Sequence, residues 1–155
     1  MRRKEREIVN YEKMLEITEK CDCLRLGFVD GTDAYIVPVN FGYEDKNGEL
    51  VLYCHGAKEG KKIDLIRNNG KATFEMDTKH ELVEADIACS YSYMYQSIIG
   101  KGNIEIVEEQ DEKRHALETI MAHYSDKKEW QFNDAMINAV AVIKLSVSEW
   151  TAKEH

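Results

Sequence analysis

The segment Cys54-His55-Gly56-Ala57-Lys58-Glu59-Gly60-Lys61-Lys62-Ile63-Asp64 gathers the residue types that hold an anion. A strand ends, small residues let the backbone turn, and a helix opens on two lysines. Cations are unfavourable at a helix N-terminus, where the dipole prefers negative charge. A helix that carries them there is suited to receive a phosphate, on which free amides, dipole and ammonium groups converge. The competing reading is a solvated surface turn, and no GxxxxGK[ST] pattern is present. His55 titrates in the useful range, so it is a candidate proton donor as well as a structural strand-end residue.

Two further segments carry possible contacts. Val37-Pro38-Val39-Asn40-Phe41-Gly42-Tyr43 places a carboxamide after a mid-strand proline; Asn40 can pair with a heterocycle edge or satisfy its own backbone. Tyr91 to Gly102 alternates aromatics with small polar residues. Tyr93 and Tyr95 share a strand face, for core or dimer packing, and Gly100 and Gly102 indicate a bulge or close backbone approach. Cys89 has no basic neighbour in sequence and reads as buried filler rather than a nucleophile. No metal site is expected. Cys21 and Cys23 have poor zinc spacing, and His115 and His123 lie too far apart for an i, i+4 pair.

The elements that position these residues follow from periodicity. A helix capped by Asn10 presents Tyr11, Met14, Leu15 and Thr18 on one face. A strand on Leu24, Leu26 and Phe28 turns at Asp30-Gly31, and a second runs from Ala34 to Tyr43. Lys46-Asn47-Gly48 is a hairpin signal, leading into a third strand over Glu49 to His55. Pro38 inside the second strand implies an edge, a bulge or a ligand contact. A short helix stops near Asn68-Asn69-Gly70. Strand patterns return at Lys71 to Asp77, Leu82 to Glu84, Ala88 to Ile99 and Lys101 to Val107. The helix Gln110 to Tyr124 carries an apolar stripe of Leu117, Ile120, Met121 and Tyr124. A helical piece at Asn133 to Asn138 precedes a closing strand, Ala139 to Trp150. Hairpin-linked strands with few helices exclude a doubly wound parallel sheet. They favour an antiparallel barrel, mainly β, with flanking helices.

Length and charge limit the function. The chain has 155 residues, 43% of them apolar, which suits one domain spanning 1–155. With 29 acidic against 21 basic residues, a net of −8, it is no nucleic-acid or anionic-membrane binder. No apolar run approaches the roughly 20 residues needed to cross a bilayer. The opening MRRKERE is not a secretory signal, and four cysteines without a CxxC pair suit a reducing cytoplasm.

Three motifs in order complete the reading: Val37 to Tyr43; Leu52-Tyr53-Cys54-His55-Gly56-Ala57 with Gly60-Lys61-Lys62; and Tyr95-Gln96-Ser97-Ile98-Ile99-Gly100-Lys101-Gly102. The sequence thereby resembles the pyridoxamine 5′-phosphate oxidase-related flavoproteins, and specifically their nitroimidazole-resistance branch. The opening Met1-Arg2-Arg3-Lys4 with Arg6-Glu7-Ile8, and the late Trp150-Thr151-Ala152-Lys153, are similar to that branch too. Cys54 stands where the branch commonly has Phe, and Ala152 where it has Gly. The resemblance implies a six-stranded FMN-binding split barrel that forms a homodimer with flavin sites at the interface. It implies that Lys61 and Lys62 hold the FMN phosphate, that Val39 and Asn40 meet the flavin ring, and that His55 and Ala57 line the pocket. Gln96 and Ser97 would approach the cofactor from a neighbouring strand. The implied activity is reduction of a small oxidised substrate, such as a nitroaromatic, with electrons from NAD(P)H. The nicotinamide would visit the flavin pocket transiently, since no GxGxxG follows a strand. The alternative is a non-catalytic binder of flavin or haem with the same fold.

Overall fold

The structure is a computed structural model that describes residues 3–155. Its strands are β1 (Glu7–Ile8), β2 (Leu24–Asp30), β3 (Asp33–Val39), β4 (Phe41–Asp45), β5 (Leu50–Gly56), β6 (Lys71–Val83), β7 (Ser92–Val107) and β8 (Ala141–Glu154). Its helices are α1 (Tyr11–Lys20), α2 (Lys61–Asn69), α3 (Gln110–Tyr124) and α4 (Asp134–Ala139). All strands pair antiparallel, in the order β3-β2-β6-β7-β8-β5-β4, with β1 added to the far half of β8.

The two edge strands of that order, β3 and β4, are consecutive in the chain and separated by Asn40 alone. A one-residue link spans only about 7 Å between flanking residues, so the sheet must curl until its edges nearly meet. They are not hydrogen-bonded to each other, and the barrel is therefore open, or split. The expected antiparallel barrel with outer helices is the fold observed. Eight strands are present rather than the six the resemblance implies: β1 joins the sheet, the expected strand Ala34 to Tyr43 breaks at Asn40, Lys71 to Asp77 runs on through Leu82 as β6, and the expected strands Ala88 to Ile99 and Lys101 to Val107 are one strand, β7, that starts only at Ser92. Pro38 lies on edge strand β3, where its missing N–H costs no ladder bond.

Within the curl lies the main core, built from Leu24, Leu26, Phe41, Leu52, Phe74, Met76, Ile98, Ile143 and their neighbours, under α1 and α2. A second cluster, with Val51, Tyr53, Val107 and Val142, packs on Ala116, Leu117 and Ile120 of α3 and Ile137 of α4. The apolar stripe of α3 is rotated from the expected one, since Met121 and Tyr124 are exposed. The Tyr124 hydroxyl has a polar task instead: it accepts from the Phe41 N–H at 3.1 Å and donates to the Asp22 carbonyl at 2.9 Å. That clamp fixes the chain where it leaves the β3–β4 break.

The local signals behave as their chemistry requires. The Asn10 side chain accepts from the Lys13 amide and starts α1, and Asn133 does the same for α4 from Met136. Gly70 ends α2 in the left-handed region. Between Lys101 and Gly102 the β7–β8 register shifts, and a Cβ on Gly102 would lie 2.0 Å from the Ser146 carbonyl oxygen. The glycine marks both the bulge and a close approach. β8 runs on to Glu154, four residues past its expected end, because β7 continues to pair with it.

Candidate functional site

The β3–β4 break, the end of β5 and the start of α2 come together at one rim of the split barrel. Phe41 pairs with Cys54, which puts Asn40 beside His55. The chain then turns through Gly56 and Ala57 and enters α2 at Gly60, whose φ of +116° suits glycine. Among the described residues no side chain caps α2 and the Lys61 and Lys62 amides have no backbone acceptor, so its first turn presents free N–H groups. Asn40 is thus placed beside His55 and Lys62 beside Gly56, while the Lys61 ammonium lies toward the other end of β3 from Val39, at Asp30 and Tyr35.

The two lysines diverge, as successive residues about 100° apart on a helix must. Lys61 forms an ion pair with Asp30 and lies 5.4 Å over the Tyr35 ring. Lys62 turns the other way, to the end of β5. A Cβ on Gly56 would sit 2.7 Å from Lys62 Nζ, so the glycine makes the hollow this ammonium occupies. Desolvation, then the Lys62 charge, holds the His55 imidazole below its usual range. It is therefore neutral at pH 7. Burial pushes the Cys54 thiol up to about 12 against the opposing pull of Lys62, which removes it as a nucleophile.

Gln96 and Ser97 lie elsewhere. On β8 their neighbour Lys153 is eleven residues from Val142, the partner of His55, or roughly 36 Å of strand. Gln96 is buried, its side chain donating at 3.1 Å to Glu154, whose other oxygen meets Lys13. Ser97, one residue on, faces out. Tyr93 also points outward and is 49% exposed, which excludes the core role weighed for it. Cys89 is exposed rather than buried filler. His115 and His123 have structural partners: Glu44 at 3.2 Å for the first, the Cys21 carbonyl at 2.7 Å for the second.

The outer face of the sheet was not anticipated from the sequence. A groove of about 570 Å³ crosses it, lined by residues including Val29, Ile36, Thr73, Lys101 and Asn103. Val29, Ile36 and Ile99 are each more than half exposed on this face. Strand alternation alone cannot reveal such a face, because which strands adjoin depends on sheet order.

A phosphate fits the residues at the α2 rim. Free amides, an uncapped helix end and an ammonium seated in a glycine hollow supply charge-assisted donors without rearranging a strand. A flavin mononucleotide carries such a phosphate, and Asn40 at the break offers both donor and acceptor to a ring edge.

Residues 12–154 match the family model described as pyridoxamine 5′-phosphate oxidase, so the chain belongs to that family. Among solved structures it is similar to a candidate 5-nitroimidazole antibiotic resistance protein from Bacteroides thetaiotaomicron, at 34% identity and a TM-score of 0.83, covering 96% of this chain and 86% of that one. The fold is shared with an FAD and heme binding protein from Mycobacterium smegmatis (16% identity, TM-score 0.82, 96% and 73% covered). A flavocytochrome from Azotobacter vinelandii shares it too (18%, 0.78, 96% and 69%). No curated protein matches the sequence. Among the described residues no helix is long and apolar enough to cross a membrane.

Proposed function

We propose that the protein is an FMN-dependent oxidoreductase that takes electrons from NAD(P)H and passes them to a small oxidised substrate of the nitroimidazole or nitroaromatic class. The observation that carries this reading is the α2 rim, where an uncapped helix end places the Lys62 ammonium against Gly56 at the end of β5, one residue from the His55 that lies beside Asn40. FMN, when bound, supplies reversible electron transfer that no side chain here provides. The chain binds and orients: Lys62, Lys61 and the α2 amides take the phosphate, Val39 and Asn40 the ring edge, and Ala57 leaves room beside it. His55, the candidate proton donor, is held neutral at pH 7, so the role we place beside the substrate is donation of a hydrogen bond from its ring N–H.

Gln96 is turned inward to Glu154, so of that segment it is the outward-facing Ser97 that contributes through a second copy. The β8 neighbour of Ser97, Lys153, is eleven residues along the strand from the partner of His55, and in this reading the ligand that touches both Ser97 and His55 sits between two protomers. The exposed apolar outer face gives a two-fold dimer the surface it needs. The four free thiols agree with a cytoplasmic location.

A second reading, storage or sensing of flavin or haem without turnover, is favoured by the shared fold of the mycobacterial FAD and heme binding protein. One experiment separates the two. The visible spectrum of the purified protein is recorded without oxygen before and after NADH or NADPH. Bleaching of a flavin band is the expected result. A band that persists overturns the reductase and favours the binder, and no flavin after added FMN overturns both the cofactor and the site.

A further inference from the structure

The lysine that opens α2 already has a carboxylate for a partner. The Lys61 ammonium pairs with Asp30, the last residue of β2, and lies 5.4 Å over the ring of Tyr35 on β3. Asp30 in turn stands directly opposite Asp33 across the β2–β3 turn. Like charges set opposite each other in a ladder repel. Among the described residues Lys61 is the one cation that pairs with either carboxylate.

The segment held in this way is easily loosened. β3 is an edge strand whose ladder partner is β2, and Gly31 in the turn between them has a φ of +63°. A second tie from α2 reaches the same turn, where Asn69 Nδ2 donates to the Val29 carbonyl at 3.0 Å. The β2–β3 end is thus fastened to both ends of α2, by a neutral hydrogen bond at Asn69 and by a charge at Lys61. An edge element with so few ties opens locally at low cost.

Lys61 is also the first residue of α2, so its side chain springs from the turn whose amides are free. Rotation about its own side-chain bonds carries the ammonium from Asp30 toward an anion on those amides, with the helix staying where it is. One ammonium cannot serve both partners fully. A phosphate gains Lys61 only as Asp30 loses it, and Asp30 then faces Asp33 with no cation between them.

Resting on the reading that the α2 rim takes the FMN phosphate, we propose that Asp30 is an internal competitor for Lys61: it sets how tightly the rim holds a phosphomonoester dianion, and phosphate binding releases the β2–β3 end. Asp30 is a positioning residue, acting on the ligand through Lys61. A flavin without a phosphate has nothing to offer Lys61 and leaves this latch closed.

The test compares FMN with riboflavin, the same flavin lacking the phosphate, by fluorescence titration of the full chain. Asp30→Asn should tighten FMN by about threefold or more, the scale of a partly exposed ion pair, with riboflavin held within about twofold. In a Lys61→Ala background the same substitution should change FMN affinity by less than about twofold. A gain that persists without Lys61 comes from the field of the carboxylate alone and overturns the exchange. No gain in Asp30→Asn, with FMN still held more tightly than riboflavin, overturns the exchange and leaves the phosphate placement standing. Equal affinities for FMN and riboflavin in the unaltered chain remove both. If Asp30→Asn weakens both flavins, Asp30 supports the site instead of competing for it, and the exchange falls. Hydrogen exchange gives a readout that needs no variant: amides between Val29 and Ala34 should exchange faster with FMN bound than with riboflavin bound. Equal or slower exchange overturns the release of the β2–β3 end.

Discussion

The rim at β5 and α2 and the far end of β7 are built by opposite routes. At the rim, Asn40, His55, Gly56 and Lys62 are brought together by a one-residue link and a four-residue turn, all within one chain. At the far end, Gln96 is turned inward to Glu154 and Lys13, and what remains for a ligand is an outward strand face, with the β6–β7 hairpin beyond it held by His155 at Tyr95 and Ser92. The first region is complete by itself. The second makes chemical sense only against another surface. A flavin site shared between chains needs both kinds, one to hold the charged end and one to close over the ring.

The largest expected effect breaks the first region. Lys61→Ala with Lys62→Ala removes two ammonium groups from the phosphate, and charge-assisted bonds of this kind contribute about 1.5–3 kcal/mol. Fluorescence titration should show FMN affinity falling about tenfold or more, and unchanged affinity would refute the placement of the phosphate. The single variants sharpen the result. Lys62 faces the Gly56 hollow, whereas Lys61 must give up Asp30 before it can meet a phosphate. Lys62→Ala should therefore cost the larger share, and the reverse order would mean that the phosphate lies on the Asp30 side of α2.

A somewhat smaller effect is expected from Gly56→Ala. The added methyl would meet Lys62 Nζ at 2.7 Å, and that ammonium is the mobile end of a long side chain. It will swing away rather than strain the strand. The expectation is a several-fold loss of FMN affinity with the melting temperature nearly unchanged. A large loss of stability would show that the β5 end, and not the lysine, occupies the space.

The two regions also differ in how far the sequence reveals them. Lys61, Lys62 and Gly60 are informative because a helix start is a local event, and its dipole makes paired lysines there conspicuous. Asn10, Asn133, Gly70 and the Lys46-Asn47-Gly48 turn are legible for the same reason. The break at Asn40 is not, because Val37 to Tyr43 alternates like one strand; only closure of the sheet forces the chain to change partners there. Gln96 illustrates the limit more sharply. Its type and its place in a strand are plain, but its inward side chain depends on Glu154 and Lys13, 58 and 83 positions away in the chain. Tyr124 falls on the helical period expected of a core residue and instead bridges Phe41 and Asp22 through its hydroxyl.

That bridge gives the next prediction. Tyr124→Phe leaves the Phe41 amide and the Asp22 carbonyl without their shared partner at the β3–β4 break. Since Tyr124 is partly exposed, water recovers some of the loss, and urea unfolding should register about 1 kcal/mol of destabilisation. FMN affinity should fall with it, because Asn40 is the residue immediately before the clamp. Lost stability with unchanged affinity would separate the break from the site.

The smallest effect is electrostatic and reads the rim directly. His55 has its imidazole pKa lowered by desolvation and by Lys62, so the folded state disfavours its cationic form. Above the unfolded value near 6.5 both states are neutral and His55 contributes no pH dependence. As pH falls through 6.5 and on through the lowered folded value, the unfolded chain takes up the proton first, and stability is lost across that window. Removing Lys62 removes one of the two causes. The His55 ring proton, followed by NMR, should titrate at higher pH in Lys62→Ala than in the unaltered protein, and the acid-side loss of stability should shrink. Asp30, the partner of Lys61, provides the control: Asp30→Asn frees the other lysine without moving Lys62, and should leave the His55 titration where it was. If Asp30→Asn shifts His55 as much as Lys62→Ala does, the two lysines act as one charge cloud, and their divergence has no bearing on how the rim takes an anion.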